Sequence, residues 1–170
     1  KAMGWRARLE AAARNKWAMY HRHPWLLQVA SGRPLLGPNT RAATEAYMQI
    51  FDGSGLDARD IVDVISMVSA FVSGLARSTL DATRAADDTG ISDEQWWTAQ
   101  QPFLERALAD DDTSMIAKIV SGGGFDEWGD RTFEFGLQRV LDGIEAYLAW
   151  RAETQTAAVT TTSSAAGQKS

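Results

Sequence analysis

The chain contains no cysteine, which removes disulfides, thiolate metal sites and cysteine nucleophiles together and makes a reducing cytoplasm the expected setting. Histidine is nearly as scarce: His21 and His23 are the two present, and at i, i+2 they do not share a helical face, as a metal pair on a helix would. Their expected roles are modest, His23 meeting a helix-terminal carbonyl and His21 meeting solvent. No stretch approaches the roughly 18 uncharged apolar residues of a membrane span, and Lys1-Ala2-Met3-Gly4-Trp5 lacks the apolar core of a signal peptide. A concentrated basic run is missing too. The net charge is −5, with 22 acidic residues against 17 basic ones, which argues against these residues wrapping a phosphate backbone.

The two-residue alternation of a half-buried sheet is also absent, so the fold class expected is all-α, an irregular multi-helix bundle of eight or so helices. With 170 residues and 45% apolar composition, one domain over residues 1–153 can bury a real core. Beyond Glu153 the chain turns to Thr, Ser, Ala and Gln, so residues 154–170 are expected to form a disordered polar tail.

Residues 3–22 place Trp5, Leu9, Trp17 and Tyr20 at helical spacing, and Pro24 ends or bends that helix. Trp25 to Ala30 can add a short helix with Pro24 at its first position. Gly32, Pro34, Gly37 and Pro38 mark a loop, and Asn39 can cap a helix carrying Ala43, Tyr47, Ile50 and Phe51. Asp57 with Asp60 opens the next in capping-box fashion. Its apolar set, Ile61, Val62, Val64, Ile65, Met67, Val68, Phe71, Val72 and Leu75, covers more than one stripe and requires cover on two sides. Thr83 to Gly90 reads as turn-rich, and Ser92 with Gln95 is a second capping box. Pro102 is expected to kink or divide the helix that follows. Thr113 to Val120 can add a turn or two before Gly122-Gly123-Gly124. The last helix starts near Asp130 with Phe133, Leu137, Val140, Leu141, Ile144 and Leu148 on one stripe, the cleanest period in the chain.

The residues that could carry chemistry do so weakly. Asp87-Asp88, Asp110-Asp111-Asp112 and Asp126-Glu127 lack the spaced ligands and terminal bidentate Glu of a calcium loop. Asp142 and Glu145, at i, i+3, would form an acid/base pair only if buried in a cleft. The glycine triplet lacks the Lys-Ser/Thr of a phosphate loop and reads as a hinge or linker. Gly74, Gly136 and Gly143 lie inside predicted helices, where close helix approach would explain them. No catalytic set, metal site or cofactor is expected.

Three pieces together resemble a known family: His23-Pro24-Trp25-Leu26 after a first helix; Gly37-Pro38-Asn39 before a helix ending in Gly55-Leu56; and Phe133-Glu134-Phe135-Gly136-Leu137 followed by Leu141-Asp142-Gly143-Ile144. The pattern is similar to the C-terminal regulatory domain of TetR-family transcriptional regulators, over roughly residues 4–150. The resemblance implies a homodimer in which two long helices of each subunit, about 57–82 and 130–151 here, form a four-helix bundle. It also implies a small-molecule pocket in each subunit, and DNA contact only through an N-terminal helix-turn-helix module that precedes this region in the family.

The resulting expectation is a non-enzymatic, cytoplasmic effector-binding and dimerisation domain, with no membrane partner. Phe133, Leu137, Val140, Leu141, Ile144 and Leu148 are its expected dimer interface. Seven tryptophans and five methionines suit a pocket for an apolar or aromatic molecule. Its expected lining is Trp25, Met48, Phe51, Met67, Phe71, Trp97 and Phe103. A ligand-free dimerisation or adaptor module and a helical-bundle enzyme are the alternatives.

Overall fold

The computed structural model describes residues 4–29, 37–108, 115–124 and 129–167, and every regular element among them is helical. Helix α1 spans Trp5–Arg22 and buries Leu9, Ala13, Trp17 and Tyr20, one stripe at i, i+4, i+8 and i+11. It stops at His23, whose backbone N–H reaches Met19 O at 2.8 Å, with Pro24 next in line. A single turn, α2 (Leu26–Val29), buries Leu27. Helix α3 (Pro38–Met48) has proline in its first turn after extended Gly37. It passes into a 3₁₀ turn, Gln49–Phe51, that buries Ile50 and Phe51.

Helix α4 (Ala58–Thr89) opens as the sequence predicts. Asp57 Oδ1 accepts the N–H groups of Arg59 and Asp60 at 3.0 and 2.9 Å, satisfying two of the unpaired donors of the first turn. It then runs past the expected end near residue 82. Residues 83–89 are helical because Ala and Arg sustain the turn, while the Thr83 and Thr89 hydroxyls bond back to Thr79 O and Ala85 O. The stop comes at Gly90, at φ +68°, with its N–H 2.9 Å from Ala86 O, a left-handed ending that glycine permits without strain.

Helix α5 (Asp93–Leu108) begins on a reciprocal capping box, Ser92 N to Gln95 Oε1 at 3.0 Å and Gln95 N to Ser92 Oγ at 3.2 Å. Pro102 lies inside it without dividing it. Helix α6 (Met115–Ser121) starts after Thr113, which lies outside the described residues. The glycine triplet that follows closes this helix rather than acting as a linker. Gly123, at φ +67°, donates to Val120 O at 3.1 Å and Gly124 to Ile119 O at 2.8 Å, the paired bonds of a Schellman ending.

Helix α7 spans Asp130–Gly167. Its backbone stays helical from residue 154 to Gly167, where a structureless segment was expected. The run holds four alanines, a strong helix former, and the Thr154 and Thr156 hydroxyls fold back on Trp150 O and Ala152 O at 2.8 Å.

The chain forms two compact units. One is residues 1–73 with 135–170, the other residues 74–134, the boundaries falling within α4 and α7. In the first unit the cores of α1, α4 and α7 supply Leu9, Ala13, Val64, Val68, Val72, Leu137, Leu141 and Ile144. In the second, the fully described buried apolar side chains are Ala76, Leu80 and Phe133.

Candidate ligand-binding and dimerisation surfaces

Inside the first unit α4 and α7 run antiparallel, as three contacts show. The Phe71 ring lies against Gly136, where an added Cβ would stand 2.5 Å from Phe71 Cε2. Tyr147 Oη donates to Asp60 Oδ1 at 2.8 Å. Arg151 Nη2 bridges Asp57 Oδ2 at 2.9 Å and Asp60 Oδ2 at 2.8 Å. Tyr147 is pushed up from its ordinary value, first by its bond to Asp60 and then by burial.

Within one copy the residues expected at the interface divide by burial. Phe133, Leu137, Leu141 and Ile144 are each at most 2% exposed within a single copy, and Val140 and Leu148 are half-buried. A side chain with no accessible surface left gains nothing from a second chain, so the four buried residues belong to the core of one copy, while Val140 and Leu148 keep accessible surface. The sequence showed that α7 has an apolar edge; it could not show what covers that edge.

The opposite face of α7 is open. Phe135, Arg139, Gly143, Ala146 and Trp150, at i, i+4, i+8, i+11 and i+15, are all exposed; Phe135 is 65% and Trp150 55% accessible. Arg139 stands 5.5 Å over the Phe135 ring, and Tyr147 stacks on Trp150 at 5.7 Å. Helix α4 likewise exposes Val62 and Met67 beside Ser66 and Ala70. An 18-residue window of α4 has a mean hydropathy of 1.5, yet only 22% of it is buried. By length and composition it could cross a membrane, but Val64, Val68, Val72 and Ala76 are buried every fourth residue, the pattern of a helix packed on one side. Of the three helix-interior glycines, Gly136 is explained by Phe71, whereas Gly74 and Gly143 face open space.

The expected pocket residues differ in burial within each unit. Phe51 is buried and stacks on Trp5 at 6.1 Å. Phe71 is half-buried against Gly136. Trp25, Met48 and Met67 stand exposed in the first unit, and Trp97 and Phe103 in the second. A hollow of about 380 Å³ lies along Pro38, Arg41, Ala42 and Glu45 of α3, and none of the seven is among these. Composition identified aromatic residues but carried no information on where they converge.

Polar residues divide into two sets in the first unit. Arg6 of α1 holds Asp142 at 2.6 Å, Glu145 at 2.9 Å and Gln138 at 3.0 Å on α7, while Gln138 donates to Glu10 at 3.1 Å. Bonds from Arg6 and then Arg139 hold the Asp142 carboxyl below its usual range, which leaves Asp142 and Glu145 as ion-pair partners of Arg6 and not as an acid/base couple. Arg8 donates to Gln49 O at 3.1 Å and Ile50 O at 2.6 Å, covering carbonyls at the end of the 3₁₀ turn.

The second set was invisible in the sequence because it joins two helices. Lys16 Nζ lies 6.0 Å from the Tyr20 ring centroid, and Tyr47 Oη of α3 donates to Ala12 O, one turn before Lys16, at 3.2 Å. Burial pulls the Lys16 ammonium below its ordinary value and pushes the Tyr47 phenol up. The signal available was a lone lysine at i−4 to a tyrosine within an otherwise apolar helix face.

His21 is exposed, as expected, and His23 meets the end of α1 through its backbone. The His21 ring packs on Trp17 at 4.2 Å with Nδ1 3.0 Å from Trp17 O, and the His23 backbone, not its ring, meets the end of α1. No group of three or more His, Asp or Glu among the described residues could hold a metal ion. The runs 110–112 and 126–127 lie outside the described residues, and Asp87 and Asp88 are exposed on α4.

These features define an all-helical domain whose two longest helices pair inside one copy while keeping apolar outer faces. Comparison with known sequences places it more narrowly. The chain belongs to the tetracyclin repressor-like, C-terminal domain family, which it matches over residues 1–148. It is also similar to the HTH-type transcriptional repressor DrrR1 of Streptomyces coeruleorubidus, 42% identical over 151 residues. That match covers 87% of this chain but 54% of the relative, so the chain spans about half the relative's length.

Proposed function

We propose that this chain is the effector-binding and dimerisation domain of a cytoplasmic TetR-type transcriptional regulator, a repressor like its relative, with DNA contacted by a helix-turn-helix segment outside these residues. The observation that carries the proposal is the uncovered apolar surface on the outer faces of α4 and α7. Val62, Met67, Phe135 and Trp150 are each about half exposed or more, and contiguous apolar patches of that kind mark interaction surfaces. Two such helices from each copy complete a four-helix bundle, with Gly74 and Gly143 allowing close approach. The inner stripe supplies the core of each subunit and the outer strip the seam.

Effector binding acts on this dimer by differential affinity: a small apolar or aromatic molecule that prefers one subunit arrangement shifts the population toward it, and one that binds both equally shifts nothing. No helical-bundle enzyme is favoured, since Asp142 and Glu145 are committed to Arg6. Analytical ultracentrifugation of Phe135→Glu and Trp150→Glu tests the seam. A dimeric wild type and monomeric, fully helical variants are expected; a monomeric wild type, or variants that remain dimers, would remove the basis of the assignment.

A further inference from the structure

We infer that the outer face of α7 seats on the same face of a second copy in an antiparallel register, crossing at Gly143 and setting Phe135 of each copy on the partner's Trp150. This deepens the dimerisation reading above and rests on it. The grounds are the spacing of the exposed residues. In a two-fold pair of antiparallel helices, residues equally far before and after the crossing point face each other. Phe135 lies eight residues before Gly143 and Trp150 seven after it, while Arg139 lies four before and Ala146 three after. All five are exposed on one face of α7. Gly143 is where a second backbone can come nearest, since a Cβ built there would meet nothing within 4 Å in a single copy. With a rise of about 1.5 Å per residue, the two rings lie on the order of 12 Å to either side of it. Over that distance, helices crossing at about 20° stay side by side.

Both rings are already held in place within one copy. Arg139 stands 5.5 Å over Phe135, and Tyr147 stacks on Trp150 at 5.7 Å with its own hydroxyl fixed on Asp60 at 2.8 Å. An exposed aromatic that keeps one orientation loses little side-chain freedom on contact, which suits it as an anchor. Ring spacing alone also allows a parallel pairing, in which each ring meets its own copy; charge selects between the two. The parallel pairing sets Arg139 beside the partner's Arg139, two like charges at a seam that excludes water. The antiparallel one sets Arg139 beside the partner's Ala146 and leaves the guanidinium over Phe135 within reach of the partner's Trp150 ring.

The chain has no cysteine, so every introduced thiol reports on its own position. On oxidation, the double variant Phe135→Cys/Trp150→Cys should cross-link into a dimer about tenfold or more faster than either single variant. In this register the two copies of one position lie roughly 22 Å apart along the helices, beyond the about 7 Å between Cα atoms that a disulfide spans. The same separation prevents a bridge within one copy. The double variant Arg139→Cys/Ala146→Cys repeats the test with both rings in place, and it decides wherever loss of the rings weakens the dimer. Cross-linking of Phe135→Cys or Trp150→Cys alone as fast as the double variant overturns the register in favour of a parallel seam. A wild type that sediments as a dimer while neither double variant cross-links also overturns it and leaves the dimerisation reading standing. A monomeric wild type overturns both.

Discussion

The two faces of α7 carry apolar residues of similar size and have opposite environments. Leu137 and Leu141 are wholly buried, while Phe135, two residues before Leu137, and Trp150, nine after Leu141, stand more than half exposed. The regular spacing of apolar residues favours the first face as the one in need of cover, and a single copy already provides it. The lesson is that an apolar stripe reports that a helix is covered, not by which molecule; only the surface left over after folding bears on a partner.

The comparison can be broken most forcefully from the inside. Leu141→Ala removes a side chain with no accessible surface and should cost about 2–5 kcal/mol in urea unfolding, whereas Phe135→Ala should change the stability of the isolated subunit by less than about 1 kcal/mol. Equal costs would mean that the two faces are not distinct. The next effect is on assembly. Trp150→Glu should dissociate the dimer while circular dichroism stays helical, and retention of the dimer on sedimentation would remove the outer strip as seam.

The glycines sharpen the contrast with opposite signs, best read in the Trp150→Glu background so that subunit stability is not mixed with association. Gly143→Ala meets open space and should stabilise the subunit by about 1 kcal/mol through helix propensity. Gly136→Ala drives a methyl into the Phe71 ring and should destabilise it by about 1–3 kcal/mol. In the otherwise native chain Gly143→Ala should loosen the dimer. The smallest effect is electrostatic. The Asp142 carboxyl is held low by Arg6 and Arg139, so its contribution is complete above the ordinary carboxylate value of about 3.9 and is lost as pH falls through the lower folded value. Asp142→Asn should flatten the acid end of a stability profile and leave neutral pH comparatively unmoved; an unchanged acid limb would show that the Arg6 cluster contributes nothing to folding.

Local chemistry was legible in the sequence because it is written in neighbouring residues. Asp57 with Asp60, Ser92 with Gln95, and Asp130 at the start of the last helix fall where the chain places them, whereas α3 starts at Pro38 after Gly37 and not behind an Asn39 cap, and α2 starts at Leu26 and not at Pro24. Signals weaker than their context were misread. Thr83 to Gly90 reads as turn chemistry, but Thr83 and Thr89 satisfy their hydroxyls on the preceding turn and let α4 continue to Thr89. The polar 154–167 stretch is alanine-rich enough to extend a helix already begun. The packing of α3 on α1 was the least legible part, since the Tyr47 hydroxyl bonds to the Ala12 carbonyl 35 positions away.

Asp57 performs two tasks with one carboxylate. Oδ1 serves the first amides of α4 and Oδ2 holds Arg151 on α7, with the group drawn below its ordinary value first by the Asp60 amide. Fraying at the start of α4 and release of the middle of α7 are therefore one event and not two. Amides at both places should exchange with solvent at matched rates, and replacing Asp57 with alanine should accelerate them together.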